Sequence, residues 1–386
     1  MIFGDLTFFA ILAGCWLTFH AVPIRARPTV LASWGVLFYA VYAWQALPLV
    51  LGLTVAAWVA GTQGRTWPFI GAVLIVFAAF KSGTDAGRWL LIGPGPAGTA
   101  PIVPLGLSFL AFELMHLVIE RGRGRVPSVP FADVAAFAFY FPCRVAGPLR
   151  RYPAFAASVA EARASFDNVY AGAVRVAIGF LKKFLIADVL ASTVAEMSYA
   201  ATPWHVWKVT IAFGLQLYFD FSAYSDIAIG VSRTLGIHVP ENFRSPYLSA
   251  NIRDFWTRWH ITLASWVRDY VFTPVGRELF RTRMKASPVS IAALSYLAAF
   301  LVVGAWHGLA ANFIVWGLYH GALLSGHHLY LTKAPPAMFA SELYRSRAMT
   351  GVSTVATFLL VTIGWVPFMT DLPNAMRLLS IMLGRP

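Results

Sequence analysis

Long apolar runs separated by short polar gaps repeat along the whole chain. A helix needs about 20 apolar residues to cross the hydrocarbon core of a membrane. Several runs are shorter, so we expect some of them to be re-entrant or interfacial. The pattern predicts an all-α, polytopic integral-membrane helical bundle of about nine to eleven transmembrane helices, forming one membrane-embedded domain over residues 1–386. The runs fall near residues 6–22, 29–47, 48–61, 67–80, 102–119, 131–147, 170–197, 205–231, 289–304, 309–330 and 350–370.

The segment Asn251–Phe272 has a different pattern, because its apolar residues recur at helical spacing. They share one face of a helix, and most of the charged residues lie outside that face. Asn251, followed by Asp254 three positions later, resembles an N-cap. The segment predicts one amphipathic helix at the membrane interface or lining a wet cavity, with His260 at the edge of the apolar face. That face contains Ile252, Phe255, Trp256, Trp259, Leu263, Trp266, Val267 and Tyr270.

The composition agrees with a membrane protein. Hydrophobic residues make up 58% of the chain and charged residues 12%, whereas a soluble domain carries about a quarter charged residues. This excludes a soluble enzyme, a disordered protein and a disulfide scaffold. The net charge is +13, and basic residues occupy short gaps such as Arg121–Arg125 and Arg244–Lys285. Such gaps are typical of cytoplasmic loops, so we expect no nucleic-acid partner.

Ionisable side chains inside apolar runs are costly in a bilayer and mark either function or a compensating partner. Glu113, His116 and Glu120 share one helix face. The first two of them either pair with each other or pair with arginines. Asp220 and Asp226 are expected chiefly to bond neighbouring helices.

His307 stands out among these residues, because it lies beside Trp306 and Gly308 in an apolar run. Imidazole titrates near neutrality, which suits it to take a proton from a hydroxyl and return it to a leaving group. A core histidine and a catalytic histidine fit this pattern equally well. His320 follows thirteen residues later. The spacing of Cys, His, Asp and Glu matches no metal-binding motif, so we expect no metal.

Four segments, in this order, resemble blocks of the membrane-bound O-acyltransferase (MBOAT) family. The resemblance covers about residues 100–330 and points to the bacterial branch that contains alginate O-acetylation and teichoic-acid D-alanylation proteins. Cys143 and Arg144 depart from the apolar or small polar residues expected in the first block. The blocks are FYFPCRVAGPLRRYPAF (139–155), LQLYFDFSAYSDIAIGVSRTLGI (215–237), ENFRSPYLSANIRDFWTRWHITLASWVRDYVFTPVG (241–276) and VVGAWHGLAANFIVWGLYHG (302–321).

The resemblance implies an all-helical bundle with a central constriction. A thioester reaches it from the cytoplasm and a hydroxyl acceptor from the other side. The WHG histidine corresponds to His307, the expected catalytic base, and the RWH histidine to His260, where eukaryotic relatives often carry Asn. We expect His260 to orient the acyl donor or to polarise its carbonyl. Residues expected to contact substrates are Trp306, Asn312, Asp220 and Arg258.

The implied activity is transfer of a short acyl group, expected to be acetyl, to a hydroxyl in cell-envelope or exopolysaccharide modification. The donor is acetyl-CoA or an acyl carrier protein, with no tightly bound cofactor. Expected partners are membrane lipids, a polysaccharide or other hydroxyl acceptor, and an extracytoplasmic acyltransferase or the carrier protein. We expect a multi-pass protein of the bacterial inner membrane. Two alternatives stay open: D-alanyl transfer in teichoic-acid-type modification, and a proton-coupled transporter or flippase.

Overall fold

The structure is a computed structural model that describes residues 2–81, 104–282 and 287–385. These residues form helices and the turns between them, with no strand in the described ranges, which confirms the all-α prediction. They group into two compact units. One unit comprises Met1–Leu181 with Ala223–Pro240, and the other comprises Lys182–Ser222 with Glu241–Pro386. The prediction of one membrane-embedded domain stays a prediction.

The described residues of the first unit form mainly eight α-helices. Proline in the first turn of a helix costs no hydrogen bond, and both α2 (Arg27–Tyr42) and α3 (Leu47–Gln63) begin this way. Asp5 caps α1 (Leu6–Ala21) by accepting a hydrogen bond from the Thr7 amide. The helices are α1 (Leu6–Ala21), α2 (Arg27–Tyr42), α3 (Leu47–Gln63), α4 (Thr66–Lys81), α5 (Leu107–Gly122), α6 (Phe131–Ala138), α7 (Tyr152–Glu161) and α8 (Phe166–Leu181).

The second unit begins with a π-helical turn at Lys182–Ala187. The long helix α10 (Pro203–Thr234) begins in this unit, and its last residues belong to the first. The helices are α9 (Asp188–Ala195), α10 (Pro203–Thr234), α11 (Ile252–Arg258), α12 (Ile261–Val267), α13 (Thr273–Arg281), α14 (Pro288–His307), α15 (Ala311–Lys333), α16 (Pro336–Ala340), α17 (Glu342–Arg345), α18 (Arg347–Met369) and α19 (Leu372–Met382).

Three of the described helical segments are long and apolar enough to cross a membrane, judged by length and composition. They are Trp44–Gln63, Pro288–His307 and Arg347–Met369. Shorter apolar helices are Leu6–Ala21, Thr66–Lys81 and Phe131–Cys143. The structure therefore agrees with a polytopic membrane protein, and the expected number of nine to eleven spans stays a prediction.

The prediction of one continuous amphipathic helix over Asn251–Phe272 is wrong. Helix α11 ends at Arg258, Trp259 is extended, and His260 adopts the left-handed conformation with φ 44° and ψ 53°. Helix α12 then starts afresh, and a π-helical turn follows at Arg268–Phe272. The predicted N-cap is confirmed, because the Asn251 side chain accepts a hydrogen bond from the Asp254 amide. The apolar face is largely buried as expected, but two short helices carry it.

Helices α14 and α15 pack closely through glycine. A Cβ atom on Gly304 would clash with the Phe313 carbonyl oxygen, and a Cβ on Gly317 would clash with that of Phe300. Small residues at such crossings let two membrane helices approach until their backbones touch. This packing matters for the site, because α14 ends at His307.

Candidate active site

The His307 side chain lies at the carboxyl end of α14 within a set of aromatic rings. Its ring centroid is 4.5 Å from that of Trp306, 4.8 Å from Phe368 and 5.3 Å from Trp316. Gly308 closes the helix by donating its amide to the Gly304 carbonyl. The imidazole is partly exposed. The surrounding rings therefore hold it in place while part of its surface remains accessible.

Gly308 is required by packing beside His307. A Cβ atom at this position would lie 2.5 Å from Cδ2 of the Phe313 ring, a separation that real contacts do not show. Phe313 in turn stacks near His307, with 6.2 Å between the ring centroids. The WHG glycine thus lets Phe313 support the histidine.

His260 is buried, with 5% of its surface exposed, and it lies outside the three candidate spans. Its Nδ1 is 3.0 Å from Oδ1 of Asn242, and the Phe221 ring meets its ring edge-on at 4.7 Å. Burial, and to a smaller extent the nearby His307, lower the pKa of His260 to about 3. The ring is therefore neutral at physiological pH.

Trp306 connects the two histidines. Its ring centroid is 4.5 Å from that of His307 and 6.4 Å from that of His260. Three of the predicted site residues therefore come together in the second unit, with Trp306 and His307 at the end of α14 and His260 immediately before α12. Trp306 is thus a shared aromatic neighbour of both imidazoles.

The other predicted substrate contacts have protein partners. Asn312 donates its side-chain amide to the Pro367 carbonyl at 3.1 Å, which ties α15 to the proline-containing end of α18. Arg258 donates to Asp254 within α11 at 2.9 Å. Asp220 forms an ion pair with Lys183 at 2.6 Å. Their expected contact with substrate stays a prediction.

The carboxylates inside apolar runs also pair with basic residues. In the first unit, Glu113 accepts hydrogen bonds from Arg144 at 2.6 Å and from Arg150 at 2.8 Å, and all three side chains are buried. Of the two pairings left open for Glu113, the structure shows the one with arginines. Asp226 pairs with Arg175 at 2.9 Å. These contacts fit a structural role, because buried charges need partners.

Sequence reasoning missed Asn242 and gave no role to His320. Asn242, in the ENF sequence of the third block, is fully buried against His260. His320 is fully buried among rings that include Trp256 and Trp316, and its ring nitrogens have no hydrogen-bond partner among the described residues. The position of Asn242 inside the block was the available signal, whereas the pattern gave none for the ring packing around His320.

The expectation that the protein holds no metal stays a prediction. Within the described ranges, no cluster of three or more His, Cys, Asp and Glu side chains has the arrangement of a metal site.

Comparison with known families identifies the family of the chain. Residues 31–363 match the sequence profile described as "MBOAT, membrane-bound O-acyltransferase family". The chain belongs to the MBOAT family. The matched range includes both histidines and all four blocks singled out in the sequence.

Individual relatives extend this MBOAT assignment. A protein of Pseudomonas syringae pv. tomato named "Probable alginate O-acetylase AlgI" is 33% identical over 90% of this chain and 68% of its own length. A teichoic acid D-alanyltransferase of Bacillus subtilis is 33% identical over 58% of this chain and 59% of its own. A peptidoglycan O-acetyltransferase of Helicobacter pylori is 33% identical over 66% and 47%.

These matches confirm the family, the O-acyltransferase class and the setting of envelope or exopolysaccharide modification that the sequence predicted. They favour an enzyme over the transporter alternative. This MBOAT chain is an integral-membrane protein whose substrates include an acyl donor.

Proposed function

We propose that this MBOAT protein transfers an acetyl group from a thioester to a hydroxyl, with His307 and His260 as its catalytic residues. The observation that carries the proposal is the placement of both imidazoles against Trp306. The two belong to separate sequence blocks, yet they share one aromatic neighbour.

In the proposed reaction, His307 accepts the proton of the acceptor hydroxyl as its oxygen bonds to the thioester carbonyl carbon. The carbon–sulfur bond then breaks, and the imidazolium returns its proton to the sulfur. The products are an ester and a free thiol, and the histidine ends neutral. His260 orients the acyl donor beside this reaction. Trp306, Asn312, Asp220 and Arg258 are proposed to contact the substrates.

The proposed donor is acetyl-CoA or an acetylated carrier protein on the cytoplasmic side of the bacterial inner membrane. Both donors are acidic, and the exposed Arg277 and Arg281 of α13 offer a basic surface in the stretch Arg244–Lys285. Residues 283–286 of that stretch lie outside the described residues. The proposed acceptor is a polysaccharide or another hydroxyl compound, reached with the help of an extracytoplasmic acyltransferase.

The donor is tested by measuring thiol release in proteoliposomes that contain the purified protein. We expect free thiol to appear with an acetyl thioester and a hydroxyl acceptor, faster than with a D-alanyl carrier. Faster release from the D-alanyl carrier would favour the second candidate, which the similarity to the Bacillus subtilis D-alanyltransferase supports. No release from any thioester, with protein that is folded and inserted, would contradict acyl transfer.

A further inference from the structure

The side chain of Asn242 contacts the ring of His260 and Thr262, the second residue of α12. Its Oδ1 lies 3.0 Å from His260 Nδ1, 3.3 Å from the backbone nitrogen of Thr262 and 2.9 Å from Thr262 Oγ1. All three residues are buried, and Asn242 is fully so. One amide oxygen therefore accepts from a hydroxyl and a backbone amide, and it also lies against an imidazole nitrogen.

The orientation of the Asn242 amide follows from the Thr262 contact. A backbone N–H can only donate, so the amide atom that faces it must be oxygen. The reversed orientation would place the NH₂ group against that N–H, with two donors facing each other in a buried site. The neighbouring His260 Nδ1 therefore also faces an oxygen, which can only accept.

The protonation of His260 follows from this orientation. A neutral imidazole carries one proton, and the nitrogen that faces an acceptor is the one that holds it. The proton thus resides on Nδ1, and Nε2 carries the lone pair. The hydrogen bond made by one ring nitrogen in this way fixes the chemistry of the other.

We propose that Asn242 is a positioning residue that holds His260 in the Nδ1-protonated form, so that Nε2 accepts a hydrogen bond from a reactant during acyl transfer. This rests on the proposed function of the site. It separates the two roles expected of His260, because a lone pair cannot polarise a carbonyl oxygen. His260 instead orients a reactant through an N–H or O–H group of that reactant.

Asn242 also has a backbone contact that a test must keep apart from its side chain. Its carbonyl accepts the Ile261 amide at 2.9 Å, and His260 itself adopts the left-handed conformation. Asn242 thus holds the turn as well as the ring. A substitution that simply unfolds the turn would lower activity without any change of tautomer.

The direct test is nitrogen NMR of protein labelled with ¹⁵N-histidine in lipid bilayers, with a His260→Ala sample to assign the signal. We expect the neutral ring of His260 to be protonated at Nδ1 and bare at Nε2. A ring protonated at Nε2 would overturn the proposal. Because this measurement needs no substrate, its result does not depend on whether the protein has acyl-transfer activity.

Three variants link the tautomer to the reaction. Asn242→Ala should mix the two ring forms and lower kcat by at least about tenfold, as loss of the correct tautomer does in other histidine enzymes. Asn242→Asp keeps an acceptor oxygen and should recover most of the kcat that Asn242→Ala loses. Thr262→Val, the matched control, removes a hydroxyl from the same oxygen and should keep the Nδ1-protonated form.

The outcome that contradicts the proposal is specific. If Asn242→Ala and Asn242→Asp are folded and equally impaired while the His260 ring stays protonated at Nδ1 in both, then Asn242 acts only through the turn. By contrast, full acyl transfer by His260→Ala and His307→Ala would refute the proposed function and leave the tautomer result unaffected.

Discussion

His260 combines an unusual backbone conformation with a buried polar ring. Its φ of 44° lies in the left-handed region, which costs an ordinary residue about 1–2 kcal/mol and which Asn tolerates better than other non-glycine residues. Such strain is found preferentially at functional sites. The side chain and the backbone of this residue therefore both contribute to the site.

We predict that His260→Asn retains more acyl transfer than His260→Ala, because Asn keeps a hydrogen-bonding group and accepts the left-handed backbone. The rates are measured in membranes that contain equal amounts of each variant. His260→Gly is the matched control, since it fits the backbone but has no side chain. If His260→Gly is as active as His260→Asn, the hydrogen bond has no role at this position.

A second residue-scale prediction concerns Glu113, which is buried between Arg144 and Arg150. Removing one member of a buried ionic group leaves uncompensated charge and costs about 3–5 kcal/mol. Glu113→Ala should therefore lower thermal stability strongly in a melting experiment. Glu278→Ala is the control, because its side chain is 66% exposed and lies 3.9 Å from Arg281. Equal melting temperatures for the two variants would contradict this structural role.

At the scale of elements, His307 depends on the close crossing of α14 and α15. Gly304 lies one turn before His307, and a side chain at Gly304 or Gly317 would meet the backbone of the facing helix. Backbone cannot move aside as a flexible side chain can. The position of His307 is therefore set by the distance between these two helices.

We predict that Gly304→Ala and Gly317→Ala each destabilise the protein by about 1–3 kcal/mol, the usual cost of overpacking, and lower acyl transfer. Gly326→Ala in the same helix α15 is the control, because a Cβ there meets nothing within 4 Å. That variant should be as stable as the wild type or more stable, since alanine favours helix. Equal effects of all three changes on the melting temperature would show that the crossing tolerates a wider separation.

The broken helix around His260 shows where sequence reasoning stops. Apolar spacing predicted most of the buried residues of Asn251–Phe272, because apolar side chains are buried both before and after the break. The spacing of apolar residues did not reveal the left-handed turn at His260, since an apolar face can continue across such a turn. That turn depends on contacts with Asn242, which is distant in sequence from the start of α12 and carries no charge that would single it out.

At the scale of the whole molecule, the sequence was sufficient for the all-α class, the membrane setting and the family. The two histidines were predicted from the blocks that contain them, and their catalytic role stays a prediction, since chemistry alone left His307 undecided. The pairing of Glu113 with arginines also stayed open, because partners on other helices follow from tertiary packing. The hydrophobic pattern of a sequence indicates which face of each helix is apolar. It does not indicate which helices pack against each other.

We predict that this protein alone does not complete modification of the mature acceptor. Both proposed histidines are packed among aromatic rings, where a bulky polymer is difficult to admit, and a relay through an extracytoplasmic transferase resolves this. The test is reconstitution of the purified protein in liposomes with an acetyl thioester and the mature polysaccharide. Efficient acetylation of that polysaccharide with no second protein present would show that no partner is needed.

The central claim is that His307 is the base that activates the acceptor hydroxyl, and His307→Ala tests it most directly. General-base catalysis contributes about 10²–10⁴ in rate, so acyl transfer by this variant should fall at least about a hundredfold, with expression and membrane insertion unchanged. His238→Ala, at an exposed histidine, should transfer acyl groups as the wild type does. Near-normal transfer by a well-expressed His307→Ala protein would contradict the account.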